Sequence, residues 1–154
     1  MYTAVQWVHS ILRYLVLFAG IWAVIRAFRG VAGKTPYTNA DNKASLFYMI
    51  FFDLQVVFGL LLFFVSPLIG SALDNMGAAM KDSVLRFFTV EHTVLALASL
   101  AFMHIGRSKI KKAASDAQKH KTALIFFGIS LILLLALIPW PFRAALGKGW
   151  LPGM

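Results

Sequence analysis

The sequence predicts an all-α fold, an integral membrane four-helix bundle with both termini outside. Three observations lead there. Of the 154 residues, 60% are hydrophobic, and mean hydropathy is +0.76, whereas soluble domains are about half apolar. Four stretches, roughly 4–28, 44–69, 84–106 and 121–142, meet the requirement of about 20 mainly apolar residues for a bilayer-spanning helix. Basic residues gather in the connections between them. Helix is the reading because four strands cannot close a barrel in lipid. The length suits a single domain over residues 1–154.

The elements follow in order. No basic n-region precedes the first stretch, so it is expected to remain as a span rather than be removed as a signal peptide. Gly33, Pro36 and Asn39 break the chain after it, and Thr38 or Asn39 suits the N-cap of the second span. Ser66-Pro67 and Gly70 end that span. Asp82 or Ser83 suits the cap of the third. Pro139 and Pro141 flank Trp140 at the end of the fourth, an interfacial anchor with Trp7 at the same face.

The net charge is +9. Its distribution argues for a membrane and against nucleic acid, because the cations border apolar segments. The first connection holds Arg26, Arg29, Lys34 and Lys43. The third holds Arg107, Lys109, Lys111, Lys112, Lys119 and Lys121. Against these ten, the opposite side has Lys81, Arg86, Arg143 and Lys148. The positive-inside rule then puts both termini on the outer, periplasmic side of a bacterial inner membrane. The absence of cysteine excludes disulfides, thiolate metal sites and covalent haem attachment through a CxxCH motif.

Two histidines sit at matching depth. His9 lies in the first span, roughly 7 Å below its outer end, and His92 lies similarly close to the outer end of the third. Intramembrane histidine is uncommon and usually functional. Two on separate helices at one height have the geometry to grip a haem iron from both sides. Such ligation leaves no open iron position and favours electron transfer over oxygen chemistry. The bland alternative is an interhelical hydrogen bond for each.

Other polar residues fall around this pair. Arg13, one turn below His9, and Asp53 of the second span are expected at one height, as a buried ion pair pinning the two helices. The alternative is a proton or quinone site using Asp53. Gln55 can bond a ligand histidine or a haem edge, and Gly59 one turn on admits a flat macrocycle or a close helix; plain packing remains open for both. Arg86 and Lys81 suit haem propionates or simply anchor a helix end. Glu91 points about 100° away from His92 and can pair with either cation or with a partner subunit. His104 lies about 18 Å along the helix from His92 with no histidine partner in reach. His120 is expected to be solvated in its Lys-His-Lys run. The many phenylalanines read as lipid contact and packing.

Three segments resemble successive helices of one half of haem A synthase, a family of two four-helix halves that bind haem through paired histidines. Trp7-Val8-His9 with Arg13, Leu54-Gln55-Val56-Val57-Phe58-Gly59 and His92-Thr93-Val94-Leu95-Ala96 carry the resemblance. The chain is also similar to small four-helix cytochrome b-like proteins of Bacteroidota, in Lys81-Asp82-Ser83-Val84-Leu85-Arg86 and Gly106-Arg107-Ser108-Lys109. The resemblance spans about two-thirds of the chain and implies haem ligation by His9 and His92. There are departures: one half instead of two, and Ser10 after His9, where the enzyme usually has arginine. No long outer loop with cysteines and a glutamate precedes the first span. These argue against oxidation of a haem methyl group.

The expected protein is a membrane b-type cytochrome with one haem b per chain, transferring electrons in or beside a respiratory chain. Its expected partners are the bilayer, a membrane protein or respiratory complex bearing a second centre, and a quinone. Two rivals stand beside it. One is a non-redox accessory or assembly subunit, whose histidines only make hydrogen bonds. The other is a haem-handling protein related to haem A synthase.

Overall fold

The computed structural model describes residues 1–152. Four helices are long and apolar enough to cross a membrane, and no strand occurs among the described residues. The chain is a multi-pass membrane protein of the four-helix bundle class. The long helices are α1 (Tyr2–Gly33), α2 (Asn39–Val65), α6 (His92–Lys112) and α7 (Asp116–Leu137). Three short helices, α3 (Pro67–Asp74), α4 (Met76–Ala79) and α5 (Ser83–Arg86), form the middle connection, and one π-helical turn, Phe87–Glu91, leads into α6.

Local chemistry sets the boundaries. Helix α1 runs past residue 28 to Gly33, because Arg26 and Arg29 interrupt hydropathy without interrupting helix. It stops at Lys34, whose φ of 49° is left-handed and whose N–H closes onto the Gly30 carbonyl. Helix α2 starts at Asn39, earlier than expected, through a capping box: Asp41 accepts from the Thr38 N–H and hydroxyl, each at 2.7 Å. It ends at Val65 instead of 69, because Pro67 opens a new helix at its favoured first position. Asp82 caps α5 by accepting from Val84 and Leu85. Ser115 caps α7, which begins at Asp116, five residues before the expected start. Pro139 leaves Trp140 just beyond the helix end.

Helix α1 packs along α2 on one side and α7 on the other, and α6 packs along α7. Helices α2 and α6 meet only briefly, so the bundle has one loose seam. Along α1, Val16, Gly20, Ala23, Ala27 and Gly30 form a buried small-residue stripe with alternating spacings of four and three. In lipid, helices associate by close packing and interhelical hydrogen bonds, not by apolar burial. The stripe serves the first need by seating rings. Tyr48 lies over Gly20 and His120 over Gly30, each where a Cβ would collide with it.

Hydroxyls serve the second need. Ser99 donates to the Ser130 carbonyl at 2.7 Å and Ser130 to the Ser99 carbonyl at 2.8 Å. The Tyr48 hydroxyl joins Ser130 at 2.7 Å, tying α2, α6 and α7 at the centre. At the end carrying the α1–α2 and α6–α7 connections (the basic end), Arg26 pairs with Asp41 at 2.8 Å. Nearby, the buried Arg107 donates to Ser45 at 2.6 Å. His120 is 1% exposed, not solvated, and reaches the Pro36 carbonyl with Nε2. Outward faces carry apolar side chains such as Phe18, Phe64 and Ile132, as a lipid-facing surface requires.

Candidate cofactor site

His9 and His92 meet at the opposite, histidine end of the bundle. Their ring centroids are 6.4 Å apart and their planes are inclined at 60°. Each imidazole is fixed by a different neighbour. His92 follows the π-helical turn directly; such turns re-aim the residues after them and often mark functional positions. Its Nδ1–H donates to the Leu137 carbonyl at 2.9 Å. That carbonyl is available because α7 ends at Leu137 and the residue four further on, Pro141, has no N–H. With Nδ1 protonated, the lone pair of His92 lies on Nε2.

His9 is held from α2. Its Nε2 lies 3.2 Å from Nε2 of Gln55, and its ring rests on Gly59, where a Cβ would sit 3.1 Å from Cε1. Nδ1 of His9 and Oε1 of Gln55 are buried without a hydrogen-bond partner. Either end of the Gln55 amide can face the imidazole. With Oε1 turned inward it accepts from Nε2–H and leaves a bare lone pair on Nδ1. The glycine therefore makes room for the His9 ring itself.

Both rings line a cavity of about 340 Å³ between α1, α2, α6 and the residues after α7. Its walls are mainly apolar, with Phe52, Val56, Phe88, Ala96, Leu134 and Ile138 among them. Two cations also line it, Arg13 and Lys148. The tail after α7 folds back over this end: the Trp150 carbonyl accepts from Arg13 Nη2 at 2.7 Å and from the Tyr14 hydroxyl. Lys148 lies 5.1 Å from the Phe88 ring centre and Arg143 4.9 Å from that of Phe87.

Three expectations fail. Arg13 does not pair with Asp53. Gln55 faces α1, and Asp53, two residues earlier, is about 200° around the helix, so it faces α6. There it meets His104 Nε2 at 2.6 Å. Arg86 does not line the cavity, because Glu91 holds its Nε at 2.7 Å and the Met80 carbonyl accepts from Nη1 at 3.2 Å. Lys81 is also absent from the cavity wall; Lys148 and Arg13 take the cationic places. Periodicity contained the signal for Asp53. Nothing in the tail's irregular sequence signalled its return to Arg13.

No family model matches the chain, and no curated protein and no solved structure gives a match.

Proposed function

We propose that this protein is a membrane b-type cytochrome that holds one haem between His9 and His92 and passes single electrons in or beside a respiratory chain. The observation that carries the reading is the spacing of the two imidazoles across an apolar cavity. A nitrogen–metal bond of about 2 Å on each side, with the half-width of each ring added, comes to roughly 6 Å, close to the 6.4 Å between centroids.

The donor set supports a macrocycle over a bare ion. No group of three or more histidine, cysteine, aspartate or glutamate side chains able to hold a metal occurs among the described residues. Bare zinc takes three or four protein ligands, whereas a porphyrin brings four nitrogens and asks the protein for two. Haem held by both histidines would supply one-electron chemistry.

The chain's own residues set the rest. The Leu137 carbonyl fixes the tautomer of His92, and Gln55 orients His9. Mainly apolar walls would surround the group. Arg13 and Lys148 offer charge for carboxylate groups of a ligand. The excess of cations in the α1–α2 and α6–α7 connections supports an inner-membrane protein with periplasmic termini. That places the site in the outer half of the bilayer and calls for a partner with a second centre.

One observation favours the accessory-subunit reading: each histidine already has a hydrogen-bonding neighbour that ties two helices together. A reduced-minus-oxidised spectrum of the purified protein separates the two, with a pyridine haemochrome assay for stoichiometry. A low-spin b-type band at one haem per chain, lost in His9→Ala and in His92→Ala, is expected. Colourless protein from cells supplied with haem, or a band that survives either substitution, overturns the ligand assignment.

A further inference from the structure

The Asp53–His104 pair has no role in the site above, and its setting is unusual. Each side chain is nearly half exposed, 43% and 45%, on the loose seam between α2 and α6. Asp53 is near the midpoint of α2, roughly 20 Å along the helix from either end. The exposed residues beside it include the apolar Ile50, Leu54 and Val57 on α2 and Leu97 and Ile105 on α6, with Ser108 one turn nearer the basic end. The pair uses one oxygen of Asp53 and Nε2 of His104 on each other. Asp53 Oδ2 and His104 Nδ1 make no hydrogen bond among the described residues. Hydrocarbon cannot satisfy them, and polar atoms left against lipid are costly.

The seam also leads to the cavity. Val56 and Leu60, three and seven residues after Asp53, line it from α2. Ala96 and Leu97, eight and seven residues before His104, line it from α6. The cavity that holds the two facing imidazoles thus reaches within three residues of Asp53 on α2 and seven of His104 on α6, along the same seam.

We infer that Asp53 and His104 form the head-group site of a lipid-soluble quinone or quinol. The depth selects this class. Asp53 lies about half a hydrocarbon thickness from the phospholipid head groups and His104, three residues before Arg107, reaches it from nearer the basic end, whereas an uncharged ring on an apolar tail enters the mid-membrane region. The chemistry agrees. A carboxylate accepts from a quinol hydroxyl, and an imidazole donates to a quinone carbonyl or accepts from a hydroxyl according to its protonation. Apolar side chains of both helices flank the ring. The inference deepens the electron-transfer reading by naming the partner's class, and in that sense rests on it; the binding is testable without haem.

The experiment is a titration of the fluorescent quinol analogue 2-heptyl-4-hydroxyquinoline N-oxide into nanodiscs holding the haem-free or the haem-loaded protein. Saturable quenching at one site per chain is expected. Asp53→Asn, which retains a hydrogen-bonding group beside His104, and His104→Gln should each weaken it about tenfold or more. Phe28→Leu, on the outer face of α1, should not. No saturable quenching by the wild type, or unchanged affinity in both variants, overturns the site. Because the chain has no cysteine, Leu97→Cys reports a seam closed by a second copy. Disulfide cross-linking between copies that excludes the probe also overturns it. Colourless protein that still binds the probe refutes the haem reading alone, and haem-loaded protein that does not bind it refutes this site alone.

Discussion

Gly59 offers a graded test of the ligand site, because a side chain there meets the His9 ring and nothing stiffer. In Gly59→Ala the added Cβ would lie 3.1 Å from His9 Cε1 and 3.6 Å from Nδ1. The ring must withdraw by a few tenths of an ångström, and the cavity beside it leaves room to do so. The Gln55–His9 bond is already 3.2 Å long, and the shift stretches it beyond useful length. Losing it costs about 1 kcal/mol, or about fivefold in haem affinity. In the haem-free protein the same bond is lost, and alanine's helix preference over glycine, about 0.8–1.0 kcal/mol, offsets it, so the melting temperature should change little. Gly59→Leu fills the ring's seat, and overpacking of about 2 kcal/mol should weaken haem binding roughly thirtyfold. The assay is a Soret titration of haem into haem-free protein, beside thermal unfolding of the same samples in detergent. A Gly59→Leu protein that loads haem with wild-type affinity and a low-spin spectrum refutes the reasoning.

Four further outcomes follow from the packing. Gly30→Ala drives a methyl into the buried His120 ring and should cost about 1–3 kcal/mol by chemical unfolding in detergent; His120→Ala in the same chain should recover most of that loss. Ser130→Ala removes a hydroxyl that serves both Tyr48 and Ser99 and should cost about 2 kcal/mol, against about 1 kcal/mol for Tyr48→Phe. Arg13→Leu combined with Tyr14→Phe removes both donors to the Trp150 carbonyl and should speed proteolytic cleavage in residues 143–152, while cleavage of the α6–α7 connection stays unchanged. In the α1–α2 connection, burial and the nearby Asp41 carboxylate push the Tyr37 phenol above its usual 10.0. The folded state therefore favours the protonated phenol. The stability it lends is complete below pH 10 and falls as pH rises through the raised value. Tyr37→Phe should flatten that alkaline loss in a pH series of melting temperatures, and an unchanged slope would count against it.

Much of this organisation was legible in the chain because lipid leaves few options. Hydropathy located four spans, and Thr38, Asp82 and Pro67 marked the edges where caps and breaks fell. The meeting of His9 with His92 followed from depth alone, whereas Gln55 and Gly59 stood out by residue type and their one-turn spacing, with plain packing left open. Depth alone also produced the error at Asp53, because height along an axis says nothing of the direction around it. The opposed phases of Asp53 and Gln55 would have excluded a common partner on α1. Arg86 went to the nearer anion, Glu91, which local spacing already offered. His120 looked solvated among lysines, yet Gly30 opens a seat for its ring on another helix, and one sequence does not reveal such long-range pairs of small and large residues. The serine pair joining α6 to α7 was hidden for the same reason.

The closest packing divides the chain into two hairpins, α1–α2 and α6–α7, joined by the α3–α5 connection and by the contact of α1 with α7. Each hairpin sets its own imidazole: Gln55 of α2 holds His9 of α1, and the end of α7 holds His92 of α6. The two halves of the donor pair are thus prepared separately and brought face to face by docking. A species that bonds both imidazoles acts as a latch between the halves, and its binding energy adds to the docking energy by mass action. Cutting the chain within residues 70–82 should then leave two fragments whose reassembly in detergent depends on that species, which turns the site into a reporter of how the bundle is put together.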